Sequence, residues 1–210
     1  MKIIVLDFDG TLADTRSLIV KTMQQTIAKL GLDARSDNQC AAMIGLPLRQ
    51  TFTDLIPMSE EMGEKCAETY NRLFDVNNVP EAVPVFPHVV DTIKAMYEQG
   101  LTLTIASSRG RGSLVDFLKR MNLEPYVSYV VSASDIEHAK PAPDMVLKIL
   151  DNVGGSKEET LVVGDTMFDI AMGRNAGVKT CGVTYGNGSR KEMADADYII
   201  DDFADLMTIV

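Results

Sequence analysis

From Val89 onward, short apolar runs alternate with stretches of helical spacing, and this alternation leaves few folds open. Helices are expected over 89–99, 113–121, 143–153 and 167–175, with a last one over 203–209. Strands are expected over 101–106, 126–131, 160–163 and 179–184, and a short one over 198–200. A strand–helix alternation of this kind predicts a doubly wound α/β fold, in which a parallel sheet is covered on both faces. No internal repeat or low-complexity segment interrupts it.

The N-terminus supplies one more strand. Lys2-Ile3-Ile4-Val5-Leu6 is an apolar run of the kind found in buried parallel strands. It leads into Asp7-Phe8-Asp9-Gly10-Thr11-Leu12. On an extended chain Asp7, Asp9 and Thr11 share one face, and Gly10 lets the backbone turn. A central strand would thus carry two acids and a hydroxyl to the C-terminal edge of the sheet, where open α/β sheets bind ligands.

After Thr11 the rhythm breaks. Leu18, Met23, Ile27 and Leu30 mark one helix face, which Gly31 ends. Ser36-Asp37-Asn38 can cap a short helix reaching Ile44. The turn Gly45-Leu46-Pro47-Leu48 precedes a helix through Leu55, and Ser59-Glu60-Glu61 opens another running to about Val76. The expected organisation is an all-helical cap domain over 14–82, inserted into an α/β core formed by 1–13 and 83–210. Its connections fall near 13–15 and 81–84. Ordinary flanking helices are the alternative, although βα connections are usually short.

Polar residues recur where strands end: Asp7 and Asp9, then Ser107 and Ser108, then Lys140 before Pro141, then Asp165 with Asp169 one turn later. Taken singly, each has a plain structural role. Ser107 can cap a helix, Lys140 can be a solvated loop lysine, and Asp165 and Asp169 can be a cap and an exposed side chain. Parallel strands would gather all of them at one edge. Several carboxylates in one pocket repel each other unless some are protonated or a cation joins them. Oxygen donors without His or Cys clusters select a hard ion, here Mg²⁺.

Thirty acidic residues against twenty basic ones give a net charge of −10, which argues against nucleic-acid partners. The same charge means that an anionic ligand would need a metal or local Lys and Arg. Cys40, Cys66 and Cys181 are odd in number and scattered, as expected of reduced thiols. His88 and His138 lack an acid–base pattern around them and are expected to be surface or structural residues, and the twelve Met to be packing residues. With no secretory signal or long apolar span, the expectation is a cytoplasmic protein without a membrane partner, monomeric or weakly dimeric.

Asp7-Phe8-Asp9-Gly10-Thr11, Ser107, Lys140-Pro141 and Gly164-Asp165-Thr166-Met167-Phe168-Asp169 resemble, in order and spacing, the four motifs of the haloacid dehalogenase superfamily. The insert after the first motif resembles the helical cap of the branch that includes phosphoglycolate phosphatase, pyrophosphatase and β-phosphoglucomutase-like proteins. The resemblance implies Mg²⁺-dependent hydrolysis of a small phosphorylated metabolite. Asp7 would be the nucleophile that forms an aspartyl-phosphate, and Asp9 the general acid and then base. Asp7, the Asp9 carbonyl and Asp165 would hold the metal, supported by Asp169. Ser107 and the Ser108 amide would hold phosphoryl oxygens, and Lys140 would neutralise charge. Thr11 is also implied to lie at the substrate, and Thr11-Leu12 resembles the phosphatase form, since mutase relatives carry a bulky apolar residue at the Thr11 position. A sugar-phosphate mutase, a dehalogenase and a non-catalytic binding module are the competing expectations. The cap loop Gly45-Leu46-Pro47-Leu48-Arg49 would face the site, with Gly45 lining it and Arg49 meeting a substrate anion or lying exposed at a helix start. Arg16 and Arg109 are further candidates for the same role.

Overall fold

A computed structural model describes residues 1–79 and 82–210. Six parallel strands form one sheet in the order β3-β2-β1-β4-β5-β6. They are β1 (Ile3–Leu6), β2 (Thr102–Ser107), β3 (Tyr129–Ser132), β4 (Thr160–Gly164), β5 (Lys179–Val183) and β6 (Tyr198–Ile200). β1 lies between β2 and β4, with Leu6 level with Ile105 and Val163. The winding reverses on either side of β1, so the crevice at its C-terminal end is the topological switch point of the sheet.

Alternation along β1 builds both core layers. Ile4 and Leu6 pack with Val89, Ile93, Met96, Leu114 and Phe117, from helices α5 (Val89–Glu98) and α6 (Arg111–Arg120). Ile3 and Val5 face Met145, Val146, Ile149 and Met172, from α7 (Asp144–Val153) and α8 (Met167–Ala176). Each large side chain buried this way contributes about 1.5–3 kcal/mol. Phe8 is fully buried and packs on Phe117 at 5.5 Å, so the residue between the two acids is an anchor in the core.

Between β1 and α5 lie α1 (Arg16–Lys29), α2 (Asp37–Ala41), α3 (Leu48–Leu55) and α4 (Glu60–Asn77), with α4 packed on α1 and α3. Among the described residues of this block there is no strand. Ser36 and Gln39 form a reciprocal capping box on α2, which ends at Ala41 and not at Ile44. Met43, Ile44 and Leu46 instead donate turn hydrogen bonds to Cys40, Ala41 and Met43. The first connection bridges both Asp9 and Val85 through Ala13, and the Asp14 amide donates to the Pro84 carbonyl at 2.9 Å. The chain therefore leaves and re-enters the sheet layer at one place. Glu81, expected in the second connection, lies outside the described residues.

Three expectations shift by local chemistry. β3 begins at Tyr129, because Pro125 sits in a 3₁₀ turn, Glu124–Tyr126. α6 begins at Arg111, two residues before Ser113. The last helical segment, Phe203–Thr208, is 3₁₀ and opens on an Asp202 side chain that accepts from the Ala204 amide. Cys40, Cys66 and Cys181 are buried free thiols. Among the described residues, no helix is long and apolar enough to cross a membrane.

Candidate active site

Asp7 follows β1 directly, its amide donating to the Val163 carbonyl of β4 at 2.9 Å. The chain then turns: Thr11, Leu12 and Ala13 all donate to the Phe8 carbonyl, and Gly10 has φ +93°. A side chain at Gly10 would be strained there and would collide with Asp165 Oδ2 and Asn187 Nδ2. The turn, and not an extended alternation, brings Thr11 in. Its hydroxyl donates to Asp165 Oδ1 at 3.3 Å and reaches Asp7 Oδ2 at 3.5 Å. Thr11 is fully buried against these carboxylates and is not on the cavity wall described below.

Lys140 joins two of the acids. Its Nζ lies 2.6 Å from Asp7 Oδ1 and 2.7 Å from Asp169 Oδ1, with all three side chains buried. Asp169 also closes the capping box of α8, where Oδ2 accepts from the Thr166 amide and hydroxyl at 3.0 and 2.7 Å. The capping role and the charged cluster are thus the same residue. Burial would lower the Lys140 ammonium, but Asp169 and Asp7 outweigh it and hold Lys140 above its ordinary value. Burial pushes the Asp7 carboxyl well up. Lys140 opposes this, and Asp169, Asp165 and Asp9 add to it. Asp165 is pushed up to about 7, by burial first and then by Asp169.

Asp165 is held by a residue that the motif reading passed over. The Asn187 amide donates to Asp165 Oδ2 at 2.6 Å, and Asn187 Nδ2 does so at 3.0 Å. Any side chain at Gly186 would run into the Gly10 carbonyl and the Asp165 side chain, so only glycine fits this approach. The Tyr185 hydroxyl ties the same loop to the Thr11 carbonyl at 3.0 Å. The signal in the sequence was Gly186-Asn187-Gly188, with two residues between it and the end of a strand.

Asp9 stands apart from this cluster. Arg109 Nε meets its two carboxylate oxygens at 3.2 and 3.0 Å, and a terminal guanidinium nitrogen adds a second bond. The guanidinium also donates to Ser113 Oγ and lies 4.9 Å from the rings of Phe74 and Phe117. Of the Arg candidates, Arg109 alone lines the main cavity, together with Arg111 from outside that set. Arg49 pairs with Glu60 and with Glu64 on α4, half exposed and off the cavity wall. Arg16 lines a separate, smaller cavity beside α2 and the start of α8. His88 and His138 pair with Asp202 and Asp144 at the surface.

The main cavity, about 450 Å³, opens above Asp7 and Asp9. Ser107, Ser108, Gly110 and Ser113 line it from the sheet layer, and Ile19, Met23, Gly45, Leu46, Leu48 and Tyr70 from the helical block. Ser107 Oγ accepts from the Arg109 amide at 3.2 Å, within the loop and ahead of α6. Ser108 Oγ donates to the Gly45 carbonyl at 2.7 Å, across the two layers.

Carboxylate oxygens of Asp7, Asp165 and Asp169 lie within 4.8 Å of one another. All three groups are hard donors, and the Asn187 Oδ1 beside them is buried without a hydrogen-bond partner. This set fits a hard divalent cation, which would also offset the repulsion that raises Asp7 and Asp165. The Asp9 carboxylate, committed to Arg109, is outside the set, which leaves only its main-chain carbonyl as a candidate ligand.

The sequence model of the haloacid dehalogenase-like hydrolases matches residues 4–183. The chain belongs to this family. A relative called pyrophosphatase PpaX, from Anoxybacillus flavithermus, is 33% identical over 209 residues, covering 99% of this chain and 95% of its own length. A solved haloacid dehalogenase-like hydrolase from Bacteroides fragilis superposes with a TM-score of 0.93 at 26% identity, over 98% of this chain and 99% of that one. A structure described as a predicted phosphoglycolate phosphatase, from Haemophilus somnus, shares the fold at TM-score 0.89 and 23% identity, over 100% and 97% of the two chains. The family match stops at residue 183, just short of the Tyr185–Gly188 loop that holds Asp165.

Proposed function

We propose that this hydrolase is a Mg²⁺-dependent phosphatase that removes the phosphoryl group from a small metabolite through an aspartyl-phosphate on Asp7. The observation that carries this reading is the buried Asp7 carboxylate, 2.6 Å from Lys140 and exposed to the cavity on its other side. Two anions must meet in the attack, so a fixed ammonium beside the nucleophile is the first electrostatic requirement. The relative's name, pyrophosphatase, and the superposed fold agree with phosphoryl chemistry.

An Asp7 oxygen attacks phosphorus, and the bond from phosphorus to the leaving oxygen breaks. Asp9 carries a proton on one carboxyl oxygen and gives it to that leaving oxygen, while its other oxygen stays on Arg109. In the second half Asp9 takes a proton from water, the water oxygen attacks the phosphoryl-Asp7, and phosphate leaves with Asp7 restored. Ser107 keeps its hydroxyl proton free to donate to a phosphoryl oxygen, and the Ser108 amide is placed to do the same. Mg²⁺, when held by Asp7, Asp165 and the Asp9 carbonyl, supplies charge neutralisation. Asp169 acts by holding Lys140. Thr11 and Asn187 orient Asp165. The helical block over 14–82 acts as a cap, with Gly45 at its inner face, that closes over the site and excludes water.

The test is release of inorganic phosphate from a panel of phosphate esters by the purified protein, with Mg²⁺ and with EDTA. Mg²⁺-dependent release that disappears in Asp7→Asn is expected. Undiminished turnover by Asp7→Asn would reject the assignment.

A further inference from the structure

The cavity above Asp7 has charge on its floor and little on its walls. Ile19, Met23, Met43, Leu46, Leu48 and Phe74 form most of the wall on the helical side. The cations near it are committed. Arg109 spends Nε and one terminal nitrogen on Asp9 and the other on Ser113, and is wedged against Phe74 and Phe117. Arg111 is paired with Asp135 at 2.7 Å and donates to the Val130 carbonyl at 2.8 Å. Lys140 is shared by Asp7 and Asp169, and Arg49 faces Glu60 and Glu64 off the wall. The one acidic side chain on the helical wall, Asp75, has the sign that repels an anion.

A substrate with a second anionic centre would therefore bury that charge beside apolar side chains and Asp75, without a free cation to receive it. The wall suits the opposite chemistry. At about 450 Å³ the cavity is in the range that holds drug-sized organic ligands and is larger than a second phosphate needs. Tyr70 is one of three uncharged polar side chains on the helical side, with Thr51 and Asn71. Tyr70 is more than nine-tenths buried and lines the cavity. A phenol hydroxyl on a cavity wall can exchange a hydrogen bond with a ligand oxygen.

Resting on the phosphatase reading, we infer that the group esterified to the phosphate is uncharged and largely apolar, with a hydroxyl or ether oxygen for Tyr70, and is not a second phosphate or a carboxylate. Discrimination then comes from two sources. Methylene groups gain by leaving water against the Met and Leu wall. A terminal anion loses because it is desolvated unpaired.

The experiment compares kcat/KM, with Mg²⁺ present, for ethyl phosphate, n-hexyl phosphate, hexyl phosphate bearing a terminal carboxylate, phosphoglycolate and pyrophosphate. Ethyl and hexyl phosphate release similar alkoxides, so their ratio reads the wall and not the leaving group. Hexyl phosphate should exceed ethyl phosphate by about tenfold or more, and the terminal carboxylate should cancel that gain. Met43→Lys, which places a cation on the wall, should raise the carboxylate-bearing ester relative to hexyl phosphate. Should the variant not fold, the wild-type series decides alone. Preference for pyrophosphate, phosphoglycolate or the carboxylate-bearing ester over hexyl phosphate would overturn the inference and leave the phosphatase reading standing. No phosphate release from any of the five compounds would remove both.

Discussion

Lys140 Nζ lies 2.6 Å from Asp7 Oδ1, and both side chains are buried. Removing the ammonium leaves Asp7 and Asp169 buried with no counter-charge. Breaking a buried pair from one side costs about 3–5 kcal/mol. Lys140→Ala should lose stability on that scale in urea denaturation with EDTA present. It should also lose at least about 10²-fold in phosphatase turnover, the scale of one missing electrostatic contact at a transition state. In the double variant Asp7→Asn/Lys140→Ala the stability losses should sum to less than the two single values, because the second change removes one of the stranded charges. Strict additivity would mean that the two side chains do not interact.

Metal removal gives an independent reading of the same cluster. With Asp7 and Asp165 both raised by burial and by neighbouring carboxylates, a bound cation should stabilise the fold as well as the reaction. Mg²⁺ at a hundredfold excess over its dissociation constant adds about 2.7 kcal/mol. Each kcal/mol moves the melting temperature by about 2–4 °C in a chain of this size. A Mg²⁺-dependent rise in Tm is expected for the wild type and should vanish in Asp165→Asn. An equal rise in both proteins would place the ion elsewhere.

Asn187 offers a separate handle on Asp165, since it donates twice to Oδ2 without being one of the clustered acids. Groups that orient a metal ligand typically change affinity by about 10–100-fold. Asn187→Ala should weaken Mg²⁺ binding in calorimetric titration by that amount, with kcat recovering at saturating Mg²⁺. A fall in Tm with Mg²⁺ affinity unchanged would make Asn187 a purely structural residue.

The strand–helix alternation, the helical insert and the convergence of Asp7, Ser107, Lys140 and Asp165 were all legible, because buried parallel strands and their terminal turns leave strong local signals. Partner choice was less so. Arg49 and Arg109 are both basic residues near the start of a helix, and only tertiary packing turns one toward Glu60 and Glu64 and the other toward Asp9. Asn187 was missed because a polar residue between two glycines looks like any turn until Asp165 is placed against it. The last segment reads as a helix by its apolar spacing, yet it is 3₁₀, a distinction that periodicity over six residues cannot make.

Behind the cavity-lining Arg111, Asp135 sets a pH dependence of stability. Burial would raise its carboxyl, but hydrogen bonds from Arg111 and from the Ser132 side chain and amide outweigh burial and lower it to about 2. A carboxyl that is lowered on folding stabilises the protein above its unfolded value, near 4. That contribution is lost as pH falls through the folded value. The stability gap between wild type and Asp135→Asn should therefore be constant above about pH 5 and shrink from about pH 4 towards pH 2. Urea denaturation of both proteins at several pH values checks this. A gap that stays constant down to the acid limit would show that Asp135 is not the titrating group.

The two acids of the first loop should separate by leaving group. Asp7→Asn removes the attacking oxygen anion and should end turnover on every ester. Asp9→Asn keeps the nucleophile and loses proton transfer, which is worth about 10²–10⁴-fold. That loss should be full for alkyl phosphates, whose alkoxide leaves poorly, and much smaller for p-nitrophenyl phosphate, whose leaving group needs little protonation. Because Asp9 also serves as base towards water, the phosphoryl-Asp7 intermediate should build up when the variant meets p-nitrophenyl phosphate. Acid-quench mass spectrometry should then find the added phosphoryl group on Asp7. Asp9 also shares a nearly buried ion pair with Arg109, so the folded fraction of the variant is measured alongside by circular dichroism. A loss of equal size on both kinds of ester in folded Asp9→Asn would take the proton-transfer role away from Asp9, and an adduct on another residue would take the nucleophilic role away from Asp7.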